Sequence, residues 1–343
     1  MLLRAAGLGI WTQKTLMPIG RRSAIAALAL LLAAPAIDIR NAAASDFPSR
    51  TVRIVIPFSA GGAPDVLLRA VVPYLSEKWK QPVVIENRPG ANTNIGTLVV
   101  TKAEADGHTL LFTSDGTFIF NPMIYASMPY SVSELMPVSL VATASAMFTV
   151  GTHVPAKTIS EFIALAKSKP GAINYGSTGP ASVQRLQMEY FAVLTGVQLT
   201  HVPFKGANET VMAMLANQMD ASIPTSSNVL PHLATGRLRA LAITTAQRSP
   251  QAPDVPTMQE AGVPGYETYS MFALFAPART SSETVKKIAE DVAEIIMRPD
   301  VKAALADRGF EVQGKSGAEF QAIIDRDTIK WRKVIETAKI REE

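Results

Sequence analysis

Apolar and polar positions alternate along the chain in two rhythms. Short runs rich in Val, Ile and Phe predict strands over 52–58, 82–86, 109–113, 148–150, 173–175, 199–204, 221–223, 238–244 and 271–276. Between them apolar residues recur at helical spacing: Leu67, Ala70, Val71, Tyr74 and Leu75, then Val285, Ile288, Val292, Ile295 and Ile296, and last Phe320, Ile323, Ile324, Trp331, Val334 and Ile335. Each set reads as the core-facing stripe of a helix. Strands alternating with helices predict an α/β architecture with mainly parallel strands.

Two apolar passages without turn signals, 146–154 and 266–275, bracket a middle block with its own strand and helix alternation. A block inserted between two crossings makes the first lobe discontinuous and leaves a cleft, although one large doubly wound sheet satisfies the same periodicity. The expected division is a leader over 1–44, a first lobe over 45–148 and 269–343, and a second lobe over 149–268.

The leader is expected from three features: Arg21 and Arg22, an apolar run over 24–37, and the small residues Ala42, Ala43 and Ala44 before a mature start at Ser45. The run is shorter than the roughly 20 residues that a membrane span needs. The paired arginines leave general secretion and twin-arginine export both open. Five of the 33 basic and one of the 29 acidic residues lie in 1–44, which leaves 28 of each in the mature part. The basic balance therefore belongs to the leader and carries no argument for nucleic acid or an anionic membrane surface. With no cysteine, disulfides and zinc–thiolate sites are excluded.

The candidate chemistry sits in turns. In "IPFSAGGAPD" a strand ends at Phe58 and a helix is expected from Pro64, with Asp65 complementing its positive end. Ser59, Ala60, Gly61 and Gly62 lie between, where main-chain N–H groups can meet an anion without a cationic side chain. "YGSTGPAS" repeats the arrangement with Ser177, Thr178 and Gly179, and "FTSDGTFIFNP" places Ser114, Gly116 and Thr117 after another strand. In an open α/β sheet ligands collect at such carboxyl ends. Other motifs fail: the stretch 171–178 has phosphate-loop spacing but Ser177 where the lysine belongs, and no GxGxxG follows a strand. The histidines His108, His153, His201 and His232 are scattered, with no metal-site spacing and none placed as a base for Ser177, and no GxSxG elbow occurs.

Taken in order, "FPSRTVRIVIPFSAGGAPD", "VVIENRPGANTNIGT", "DGHTLLFTS", "NPMIY", "INYGSTG", "THVPFKGANETVMAMLANQMD", "GRLRALAITTAQRSPQAPDVPTMQEAGVPGYE" and "LFAPART" resemble the Bug-type periplasmic solute receptors of tripartite tricarboxylate transport systems. The resemblance implies a type II periplasmic-binding-protein fold, two α/β lobes with two crossings, that closes over a small carboxylate or related metabolite. It implies an integral-membrane transporter as partner; together with the residues read above, no cofactor, metal or nucleic-acid partner is expected, and the mature protein is expected to be a soluble monomer. By the same resemblance the ligand residues are Phe58, Ser59, Ala60, Gly61, Gly62, Asp65, Asn92, Ser114, Ser177, Thr178, Gly179 and Asp220. Arg185-Leu186 replaces the family's usual His-Leu, Pro224-Thr225 its Phe-Asp, and Met271 its Trp, so no relative's ligand transfers directly. Two other outputs fit the residues: a ligand sensor for a signalling receptor, and an exported enzyme with Ser177 or Asp65 in its chemistry.

Overall fold

The computed structural model describes residues 47–341, so the expected leader and its cleavage site lie outside the described residues. The chain runs through β1 (Val52–Ile56), α1 (Ala63–Trp79), β2 (Val83–Asn87), α2 (Asn94–Thr101) and β3 (Thr109–Ser114). A π-helical turn (Gly116–Phe120) and the short α3 (Asn121–Ile124) lead to β4 (Leu135–Ala144). A second set follows: β5 (Met147–Gly151), α4 (Ile159–Ser168), β6 (Asn174–Ser177), α5 (Val183–Thr195), β7 (Thr200–Pro203), α6 (Ala207–Leu215), β8 (Ala221–Ser222), α7 (Ser226–Ala234) and β9 (Leu238–Ile243). The chain returns through β10 (Ser270–Pro277), α8 (Ser282–Ile296), α9 (Pro299–Ala306), β11 (Phe310–Ser316) and α10 (Gly317–Thr337).

These strands form two sheets, ordered β11-β4-β10-β3-β1-β2 and β7-β6-β8-β5-β9. Each has a parallel trio: β1 between β2 and β3, and β6 between β7 and β8. The remaining pairings are antiparallel, which corrects the expectation of mainly parallel sheets. The cause is the route of the chain: β4 and β10 carry it out of and back into the first sheet, so they run side by side in opposite senses.

Strand β1 is buried on both faces, with Val52, Ile54 and Ile56 packed under α1 and α8 and Val55 in the core of the opposite face. The helical stripe of α1 delivers Leu67, Val71 and Leu75 to the first of these cores, all at most 1% exposed. Burying side chains of this size stabilises the fold by roughly 1.5–3 kcal/mol each. The opposite core, built on Phe118, Phe275, Phe320 and Trp331, also takes in Ala181 from the loop before α5 and Val183 and Leu186 from its first turn. The lobes are therefore in apolar contact there, and Tyr190 of α5 lies 5.9 Å, centroid to centroid, from Trp331 of α10. On another side Gln251 donates to the carbonyls of Ala306 and Asp307, at 2.9 and 3.0 Å.

Candidate functional site at the facing strand ends

The carboxyl ends of β1, β2 and β3 lie side by side, and the loops that follow them form one rim of the cleft. The first loop starts a helix as the sequence predicts: Gly62 is the N-cap of α1, with proline in the first turn. Asp65, expected among the ligand contacts, is instead turned into the protein. It is 2% exposed, and its carboxylate accepts from the Gly61 amide (2.9 Å), Arg69 Nε (2.8 Å) and Asn87 Nδ2 (3.1 Å). Burial pushes this carboxyl up, but the bonds from Arg69, Gly61 and Asn87 outweigh it and hold it below its usual value. Asn87 also donates to the Phe58 carbonyl at 3.1 Å, tying the end of β2 to the turn after β1. The Gly61 amide is engaged in this way, and the Gly62 amide reaches the Ser59 carbonyl at 3.4 Å. The amides of Ser59 and Ala60, both exposed, take no protein acceptor among the described residues.

The second loop is held close to the first by Gly96. A Cβ there would lie 2.8 Å from both the Arg88 carbonyl and Pro57 Cβ. Just before α2, Ala91, Asn92 and Thr93 occupy the left-handed region at φ 44°, 47° and 78°, where residues other than glycine carry strain. Buried Asn121 fastens them: its Nδ2 lies 2.8 Å from the Asn92 carbonyl and 3.2 Å from Thr93 Oγ1, while Asn92 Nδ2 donates to its Oδ1 at 2.7 Å. Ser114 ends β3 and is 8% exposed.

The second rim follows β6, β7 and β8. Its loop 177–182 is tied within itself and to its surroundings. Ser177 Oγ is within 3.0 Å of the Gly179 carbonyl, Ser182 Oγ donates to the same carbonyl at 2.8 Å, and Thr178 Oγ1 donates to Gln184 Oε1 at 2.8 Å. The hydroxyls of Ser177 and Thr178 are thus engaged in shaping the loop, and Ser177 is fully buried. The amides of Thr178 and Ala181 take no protein acceptor among the described residues. Arg185 does not project as an isolated cation: Nη1 donates to the Pro180 carbonyl at 3.1 Å and Nε is 3.9 Å from Glu189. His201 Nε2 sits 2.6 Å from Ser177 Oγ, so a histidine does stand beside this serine. The sequence carried no sign of it, because the pairing arises from the register of β6 on β7, which sets Tyr175 opposite His201. Burial, followed by the Arg185 charge, lowers the His201 imidazole to about 4.

The two rims meet. A Cβ built on Gly116, beside Ser114, would lie 3.8 Å from the Ala181 carbonyl. The loop after β3 therefore meets the loop after β6 at this point. Asp220 does not join them. It precedes β8, at the opposite end of the sheet, where its carboxylate accepts from the Asn174 amide (2.7 Å) and meets His153 Nε2 (2.9 Å). A match in a motif located Asp220 by sequence, but strand direction puts it on the far side.

A family model described as the tripartite tricarboxylate transporter family receptor matches residues 67–340. The chain belongs to this family. Protein BugT of Bordetella pertussis is 31% identical to the receptor over 294 residues, 85% of this chain and 90% of BugT. A Pseudomonas sp. strain P51 protein encoded between tcbD and tcbE is 32% identical over 319 residues, 92% of this chain and 94% of its own length. Among solved structures, R. palustris Rpa4515 with adipate is 34% identical and superposes with a TM-score of 0.81, covering 86% of this chain and 99% of Rpa4515. The periplasmic binding protein BugD is 26% identical with a TM-score of 0.78, covering 87% and 100%. The receptor thus has the two-lobed periplasmic-binding-protein fold and a solute-binding role in tripartite tricarboxylate-type transport.

Proposed function

We propose that the receptor is exported and cleaved near Ala44, works in the periplasm as a monomer, and captures a small carboxylate between lobes spanning 45–148 with 269–343 and 149–268. It then hands the solute, chemically unchanged, to an integral-membrane transporter. The observation that supports this reading is the approach of Gly116 to Ala181, where the loop after β3 meets the loop after β6. The amides offered to the ligand are those of Ser59, Ala60, Thr178 and Ala181, which take no protein acceptor among the described residues, while Phe58, Gly61, Gly62, Asn92, Ser114, Ser177 and Gly179 shape the rims around them. Micromolar affinity corresponds to about −8 kcal/mol, and a hydrogen bond to a charged group contributes about 1.5–3 kcal/mol. Four or five neutral donors from both rims reach that range after ordering costs. Only the closed state gains both sets of contacts, so the bound solute favours closure. The adipate held by Rpa4515 and the malate held by MatC support a dicarboxylate as the first guest to try.

Catalysis is disfavoured by the state of the Ser177–His201 pair. The hydroxyl is fully buried and turned into its own loop, where an acyl or phosphoryl group has no approach.

The test is a thermal-shift and calorimetric screen with acetate, succinate, adipate, malate and citrate. A carboxylate that binds the folded state raises the melting temperature. Gly62 has φ −72° and ψ 167°, an N-cap conformation that aspartate accepts. Gly62→Asp is therefore expected to keep the fold and to weaken carboxylate binding about 100-fold or more, by placing a negative charge at the first rim. Unchanged affinity in this variant would remove the turn from the site.

A further inference from the structure

The loop 177–182 would meet a ligand mainly through its amides, so its shape has to be fixed before the ligand arrives. Its first residue, Ser177, is fully buried, with Oγ 2.6 Å from His201 Nε2. The same Oγ accepts from the Gly179 amide at 3.2 Å, which places the serine at the centre of the loop's own hydrogen bonds. At the other end Arg185 Nη1 holds the Pro180 carbonyl. Behind these, Tyr175 donates to Glu189 Oε1 at 2.7 Å and its ring lies 5.1 Å from the His201 ring. The imidazole is half-buried on the edge strand β7, against Ser177 and Tyr175, with the Arg185 charge close by and Glu189 held to Tyr175. Ser177 and Tyr175, at the centre of this network, are buried. The network's single output is the position of the loop.

We propose that His201 is a positioning residue for solute binding: by gripping Ser177 through Nε2 it sets the loop so that the Thr178 and Ala181 amides point at the guest. The inference rests on the reading of the cleft given above. It also assigns a reason for histidine at this place. Nε2 stands at the far side of the ring, a reach that glutamine's amide reproduces and asparagine's shorter amide does not. Burial, followed by the Arg185 charge, keeps the ring neutral, so the grip persists across ordinary pH.

The experiment compares His201→Asn, His201→Gln and Ser177→Ala by calorimetry, with the carboxylate of the panel above that gives the largest thermal shift. His201→Asn and Ser177→Ala should each raise Kd about tenfold, the double variant should be no weaker than either single one, and His201→Gln should recover most of the lost affinity. Hydrogen exchange on the ligand-free protein gives a second readout: the Gly179 and Ser182 amides should exchange faster in His201→Asn and near the wild-type rate in His201→Gln. Equal affinity in His201→Asn and wild type, or equal losses in the Asn and Gln variants, overturns the proposal. So does unchanged exchange at Gly179 and Ser182. If Gly62→Asp abolishes binding while His201→Asn does not, only the role of His201 fails; if Gly62→Asp binds normally, the cleft reading itself fails.

Discussion

The two rims build the same kind of corner, a strand end passing into a helix, but brace it with different chemistry. On the first rim the brace is ionic: the Asp65 carboxylate collects the Gly61 amide, Arg69 and Asn87. On the second it is neutral: the Ser177 hydroxyl, the His201 ring and the Thr178–Gln184 bond. A buried charge is costly to strip of its partners, whereas a neutral hydroxyl loses only a hydrogen bond's worth of stability. The difference teaches that these corners need a fixed shape more than a particular sign of charge. It also means that the rims should fail under different conditions.

Asp65→Ala should give the largest loss, about 2–3 kcal/mol in denaturant unfolding, because it removes the one carboxylate that gathers the Gly61 amide, Arg69 and Asn87, leaving Asn87 only the Phe58 carbonyl. A cost no greater than that of Ser177→Ala would erase the contrast between the rims. Asn121→Ala is expected to cost about 2 kcal/mol, since it releases the strained run 91–93 while emptying a buried polar position. Stability within experimental error of wild type would show that this run holds its shape without help. Gly61→Ala should cost about 1 kcal/mol: a Cβ there meets nothing within 4 Å, so the penalty comes only from φ +80°.

The smallest effect separates the rims by pH. Asp65 has a folded pKa below its unfolded value of 3.8, so its contribution is present above that value and is lost only as pH falls through the lower folded value. His201 has a folded value of about 4 against 6.5 unfolded, so the unfolded chain binds the proton first. Its contribution is full above pH 6.5 and declines as pH falls towards 4. On acidification the second rim should weaken first, seen as a melting-temperature drop of about a few degrees between pH 6.5 and 4. His201→Gln should flatten that slope; a slope of the same size in the variant would assign it to other groups.

Much of this was legible in the sequence. All nine strands predicted from apolar runs occur, and the glycine turns sit at strand ends as their placement before helix starts implied. Strand β4 went unread because its apolar run contains Pro137 and ends in small residues that join the crossing into β5. Strand β11 was missed for the opposite reason: "FEVQGKS" is polar, lies at a sheet edge and breaks register between Val312 and Lys315, with Gly314 at φ 64°. Periodicity also carries no strand direction, which is why the parallel share was overestimated; the motif that singles out Asp220 likewise carries no strand end, and the residue lies before β8. The roles of Asn87, Asn121 and His201 could not be read from the sequence because each acts on a partner more than 20 residues away, brought near only by the fold.

The tight seat of Gly96 against Pro57 bears on any attempt to re-engineer what this receptor carries. Residues around the mouth can be exchanged to suit a longer, bulkier or less polar cargo. The spacing between the first two loops cannot be altered one residue at a time, because a single added methyl group collides with backbone on the far side. Transplants from a relative with another cargo should therefore move positions 57 and 96 together with the loops they separate.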